Sequence, residues 1–398
     1  SKMRALLQKG REKCKRERKV KKLILWLLVS IVSVSMVLTF TLAGCKAPGA
    51  APREEKVEEV TKAVEEEAPV EKAEEWWMAP EGGQVLVDDL SEPDKNAGPF
   101  VVAHAINDTE SAWGTDVWDG FEEAAKGYPN MELHQFDCKN NPDDSLKAVL
   151  DIQTLSPDLV LYFNWVGAGQ EMARWCEENE VPEIEIDVPY GEKAWFYGVN
   201  NPMTGQLGGE KLGDWVKENW AGEDIWIVQN TEYESGEDVY LRNSEFLRVF
   251  METIGDSVNI MNLGEEGKVD ELNGDTSPEL GLQLFTDWLT AHPDADHVVV
   301  WSMTDEACSG MYAAAKNQNR LDDCIFGSIN GVPYAFNIMV EDERYLGTVA
   351  IFPELYGKGT LKTAMCILTE LEVPKKIVTK YDWVTMKNIG EYYPEYVE

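Results

Sequence analysis

From Pro99 onward the chain alternates short, β-branched apolar runs with segments whose apolar residues recur at helical spacing. Strands are expected at 100–105, 131–136, 158–163, 183–187 and 196–199, with helices at 115–126, 143–155 and 168–180. Asn200-Asn201-Pro202 then breaks the rhythm. It resumes with helices at 204–219, 237–254 and 278–291 and strands at 224–229 and 258–263. The segment 289–315, LTAHPDADHVVVWSMTDEACSGMYAAA, is the clearest single unit. Pro293, Asp294 and Asp296 stop a helix, and 297–301 reads as a strand covered on both faces. Thr304-Asp305-Glu306 offers an N-cap and first-turn carboxylates to the helix that follows. Strands at 325–329, 347–351 and 378–386 and a helix at 355–371 finish the pattern. Repeated βα units imply parallel sheets, right-handed crossovers and helices on both faces. Two such halves around a breaker imply an α/β protein of two Rossmann-like lobes, with side chains at the carboxyl ends of the strands facing a crevice.

The region before Pro99 reads differently. Residues 1–22 are rich in Lys and Arg, and 23–42 form an apolar run ending in Leu42-Ala43-Gly44-Cys45. A charged stretch, an apolar stretch and small residues before a cleavage point describe a secretory signal. The tetrapeptide resembles the lipobox of bacterial lipoproteins, which implies removal of 1–44 and lipidation of Cys45. The competing expectation is an uncleaved membrane anchor, since the run is nearly long enough to span a bilayer. Both place the remainder outside the cytoplasm. Residues 45–97, with EEKVEEVTKAVEEEAPVEKAEE, have the charge density of an extended tether and lack core-forming residues. Trp76 and Trp77 within it are assigned no role.

Charge narrows the partners. The chain of 398 residues carries a formal −36, and its first 44 residues hold 11 Lys/Arg against 2 Asp/Glu, a net +9, leaving −45 for the rest. So acidic a surface repels nucleic acid and anionic lipid. After Cys14 and Cys45, five cysteines remain, with no metal-type spacing. Free buried thiols are expected, a Cys308–Cys324 bridge being the alternative.

Six segments, in order, resemble the ribose/galactose-type periplasmic sugar-binding proteins, the type I solute receptors of ABC importers. They are Asp187 after Ile-Glu-Ile, Asn200-Asn-Pro-Met-Thr-Gly-Gln-Leu-Gly-Gly209, Arg242-Asn-Ser-Glu-Phe246, Leu289-Thr-Ala-His-Pro-Asp294, Thr304-Asp305-Glu306 and Gly347-Thr-Val-Ala-Ile-Phe-Pro353. The resemblance spans about 100–386. It implies two lobes joined by a three-crossover hinge, at about 98–201 plus 352–380 and 202–351 plus 381–398. It also implies a ligand-binding set of Ser111, Trp113, Asn164, Trp165, Asp187, Arg242, Thr304, Asp305 and Asn330. In that set Trp113 supplies an aromatic plate, Asp187 accepts from hydroxyls and Arg242 donates through a fixed fork. Asp305 reads first as a helix-cap residue and only second as a ligand contact.

The departures from the family's ribose binders are Val188 where Arg follows the carboxylate, Ile351 where the last strand supplies Gln, and Asn330 and Thr304 in place of Asp and Asn. They imply a less charged site, suited to a deoxysugar, a modified sugar or a non-sugar with an apolar face.

The partners implied are a small sugar-like ligand, an ABC permease and the membrane, the last through the N-terminal lipid, with the protein a monomer lacking cofactor or metal. The alternative is a sensory module signalling to a membrane kinase or chemoreceptor. G-x-x-x-x-G-K-[ST], G-x-S-x-G and H-E-x-x-H are absent, and no nucleophile–base pair is visible, so an enzyme is not expected.

Overall fold

The computed structural model describes residues 85–164, 167–264 and 266–397. The leader, Cys45, Trp76, Trp77 and Trp165 lie outside the described residues. In chain order the first half runs β1 (Val85–Leu86), β2 (Phe100–Ile106), α1 (Ala112–Ala125), β3 (Met131–Asp137), α2 (Pro142–Leu155), β4 (Leu159–Phe163), α3 (Gly169–Asn179), β5 (Glu183–Ile186) and β6 (Trp195–Gly198). Next come α4 (Asn201–Asn219), β7 (Asp224–Thr231), α5 (Glu237–Ile254), β8 (Asn259–Ile260), β9 (Asp270–Asn273), α6 (Pro278–Ala291) and β10 (Val298–Ser302). The chain closes with α7 (Asp305–Asn317), β11 (Cys324–Asn330), α8 (Pro333–Glu341), β12 (Tyr345–Ala350), α9 (Tyr356–Leu368), β13 (Lys376–Val378), β14 (Asp382–Val384) and α10 (Ile389–Tyr392).

Apolar runs without alternation became strands buried on both faces: Leu159–Phe163, Val298–Ser302 and Cys324–Asn330 are buried at every position. They assemble into two sheets. One has the order β1-β13-β6-β5-β4-β2-β3 and is parallel throughout. The other runs β14-β12-β11-β10-β7-β8, with β9 also pairing β7; its only antiparallel pair is β12 with β14. The chain crosses between sheets three times, after β6, after β12 and between β13 and β14.

Three expectations from the sequence shift. The segment 378–386 is two short strands rather than one, because the third crossing falls inside it at 379–381. The tether ends earlier than residue 97: Val85 and Leu86 pair with Ile377 and Val378, and Leu90 is buried in the core. The polar DELN run of β9 and the helix α8 carry no clear periodicity and were not expected; β9 lies at the sheet edge, paired with β7 and tied by Trp288 Nε1 donating to Asp270 and Tyr233 to Glu271. All five cysteines from Cys138 to Cys366 are free and buried, so Cys308 and Cys324 are not bridged.

The packing of α4 on α5 fixes where the site's guanidinium stands. A Cβ on Gly205 would lie 2.4 Å from the Arg242 carbonyl oxygen, and one on Gly209 2.5 Å from that of Phe246. Glycine is needed there for close backbone approach. Gly205→Ala should therefore push α5 outward and cost about 1–3 kcal/mol of stability, read by urea unfolding; an unchanged midpoint would mean that the helices do not pack this closely.

Candidate functional site

The corners after the parallel strands converge on one cleft. From the first sheet come Asp108, Ser111 and Trp113 after β2, Asn140 after β3, Phe163 at the end of β4, and Asp187 and Val188 after β5. From the second come Glu232, Ser235, Val239 and Arg242 after β7, Thr276 after β9, Met303, Thr304 and Glu306 after β10, and Asn330 at the end of β11. A wider depression lined by Lys211, Trp215, Trp220, Arg344 and Trp383 lies beside the amino ends of β11 and β12. Ligands of open parallel sheets sit at the carboxyl ends, so the cleft is the candidate site and the depression is not.

Local backbone aims the site residues. Asp187 has φ 58° and Asn330 φ 134°, both in the left-handed region that Asp and Asn tolerate better than most residues. Ser111 caps α1 by accepting from the Gly114 N–H, and Thr304 caps α7 through Ala307. A Cβ at Gly198 would meet Asp187 Oδ1 at 2.2 Å, so the neighbouring strand leaves that carboxylate its space.

Asp187 and Arg242 reach the cleft from opposite sheets and are both largely buried. Asp187 Oδ1 accepts from the Val199 N–H at 2.9 Å and the Tyr356 hydroxyl at 3.2 Å. Burial raises its pKa to about 6, against the pull of the Val199 amide, the Arg242 charge and Tyr356. Arg242 donates from Nε to Asn201 Oδ1 at 2.8 Å and from Nη1 to the Met303 carbonyl at 3.1 Å. Its fork is thus braced at two points before any ligand arrives. Glu306 accepts from Asn330 Nδ2 at 3.0 Å. Burial raises its pKa to about 7, and the Asp305 charge adds to the rise. Backbone amides of Glu306 and, from the first lobe, Trp113 oppose it along with Asn330. The Trp113 ring packs 4.7 Å from Phe163 at 45°, and 5.4 Å from Tyr356 edge-on.

Of the residues expected from the sequence, Ser111, Trp113, Asp187, Arg242, Thr304 and Asn330 line the cleft. Asn164 does not: it is fully buried, donates to Ser145 Oγ at 2.6 Å, and its carbonyl accepts from Tyr190. Asp305 also turns inward. It accepts from the Gly331 and Val332 amides and from Ser328 and Thr348, tying α7 to β11 and β12. Trp301 is core, stacked at 4.4 Å on Phe246, and Ile351 is buried in the core as well. Asp108, Asn140, Phe163, Glu232, Ser235, Val239, Thr276 and Met303 were not singled out, and Glu306 was read only as a first-turn carboxylate. Most of them stand in the corners that follow strands, and reading every such corner would have found them. No group of three or more His, Cys, Asp or Glu side chains among the described residues could hold a metal ion.

A search of curated protein sequences returns no match. Among solved structures, an ABC transporter solute-binding protein from Bacillus halodurans C-125 with bound myo-inositol is 20% identical and covers 75% of this chain and 99% of its own, with a TM-score of 0.63. The arabinose ABC transporter binding component of Shewanella sp. ANA-3, bound to L-arabinofuranose, is likewise 20% identical, covering 74% and 95% with a TM-score of 0.63. A solute-binding protein from Agrobacterium vitis with bound D-fucose is 17% identical, covering 75% and 98% with a TM-score of 0.62. The family model described as periplasmic binding protein domain matches residues 81–371. The chain belongs to that family, whose members bind solutes and catalyse no reaction.

Proposed function

We propose that the protein captures a sugar-like small molecule between its lobes, outside the cytoplasm, and presents it to an ABC transporter permease. The observation that carries this is the pairing of Asp187, just after β5 of the first sheet, with Arg242 on the helix that follows β7 of the second, both lining the cleft. A carboxylate acceptor and a braced fork of donors suit hydroxyl groups, and the Trp113 ring suits the apolar face of a sugar. The structural relatives were solved with myo-inositol, arabinofuranose and fucose bound, which supports a polyol as the class of ligand. In this reading the lobes are about 98–201 plus 352–380 and about 202–351 plus 381–398, and Cys45 carries the lipid that holds the monomer at the membrane. Lobe closure over the ligand is what the permease recognises.

A thermal-shift screen against pentoses, hexoses, deoxysugars and inositols tests the proposal. At ligand concentrations 100-fold above Kd, stabilisation is about 2.7 kcal/mol, large enough to read as a shift in Tm. Binding should also change tryptophan fluorescence, since Trp113 lines the cleft. A panel without a single hit, with fluorescence unmoved, would count against a carbohydrate ligand.

A further inference from the structure

We propose that the preferred ligand is cationic: a small polyol or sugar bearing a protonated amine. The inference rests on the cleft being the ligand site and asks which charge that site selects. Among its described lining residues Asp108, Asp187, Glu232 and Glu306 are acidic and Arg242 alone is basic. That single guanidinium is already engaged through two of its nitrogens, by Asn201 and Met303.

The carboxylates are held by neutral groups. Asp108 accepts from the amides of Glu110 and Ser111, Glu306 from Asn330, and Asp187 from the Val199 amide and Tyr356. The bonds from Val199 and Tyr356 both fall on Asp187 Oδ1, and the residue is only 6% exposed while lining the cleft, so Oδ2 is the atom offered to a ligand. Buried carboxylates are costly unless paired, and a single guanidinium serves Asp187, Glu232 and Glu306 together. An ammonium group placed among them removes that cost, whereas a neutral hydroxyl satisfies hydrogen bonds without balancing charge.

The aromatic wall is a separate observation that points the same way. Trp113 and Phe163, tilted at 45° with centroids 4.7 Å apart, both line the cleft together with Arg242 and Glu306. Aromatic faces attract ammonium groups as well as sugar rings. A hydroxylated amine therefore matches both the acidic rim and the aromatic face, and the match needs no residue to change its hydrogen bonds.

Titration calorimetry of the intact chain at pH 7.5 compares glucose, galactose and mannose with glucosamine, galactosamine and mannosamine and with the N-acetyl forms of these amines. The best-binding amine should bind tenfold or more tightly than its neutral parent, acetylation should erase the gain, and the gain should shrink in high salt. Glu306→Gln should narrow the ratio of amine to parent affinity. Equal or tighter binding of the neutral parents overturns the charge inference and leaves the sugar-binding proposal standing. Silence from all nine compounds counts against that proposal itself.

Discussion

Replacing Arg242 by alanine weakens ligand binding by about 2–4 kcal/mol, roughly 30- to 1000-fold in Kd. The side chain reaches the cleft from α5, and its Nε and Nη1 are bound to Asn201 and the Met303 carbonyl. The fork is thus immobilised before binding, and the ligand loses little entropy in meeting it. Removing it also strands ligand acceptors in a desolvated cleft, which is where most of the loss arises. Fold stability should change much less, because the α4–α5 packing around Gly205 is made by backbone. Calorimetry on parent and variant, with an unfolding curve for each, separates the two effects. Equal affinities would remove Arg242 from the site.

Thermal stability should be highest near pH 5 and fall by about 5–10 °C toward pH 8. Five carboxyls lie behind this. Burial raises Glu183 to about 8, Glu185 and Glu306 to about 7, and Asp187 and Asp305 to about 6. In the unfolded chain such groups titrate near pH 4. Between about pH 4 and pH 8 the folded protein therefore holds more protons than the unfolded one, and stability drops as the pH rises through that window. Self-repulsion of the acidic surface acts in the same direction. Glu183 and Glu185 alternate on β5 and are both buried, so the double variant Glu183→Gln/Glu185→Gln should flatten the profile. A melting temperature that climbs from pH 5 to pH 8 would contradict the burial of these groups.

The strands that could be read from the sequence were those buried on both faces, because unbroken apolar runs such as DLVLYF and HVVVW leave few alternatives. The helix after the HVVVW strand was marked by Thr304, the cap that the structure uses. What escaped was order imposed from outside the segment. The DELN run of β9 is held as a strand by the edge of β7 and by bonds from Trp288 and Tyr233, and the division of 378–386 follows from a crossing between sheets. In the cleft, Asp187 and Arg242 were expected from the resemblance to sugar receptors, and for Arg242 an arginine within an apolar helical register, which needs a partner, pointed the same way. Asp305 and Glu306 show the limit. They are adjacent acids in the first turn of one helix, yet Asp305 turns inward to the Gly331 and Val332 amides while Glu306 lines the cleft. Spacing cannot tell them apart, because the direction of each side chain is set by donors that arrive from β11 and its following turn.

The central claim is that solute is held between the sheets by groups from both. A crystal structure with the tightest-binding compound of the sugar and polyol panel tests it most directly. The predicted result is ligand within hydrogen-bond distance of Asp187 Oδ2 and the Arg242 guanidinium, with its apolar face on Trp113. Ligand in the depression beside Trp215 and Arg344, with the cleft vacant, would contradict the account.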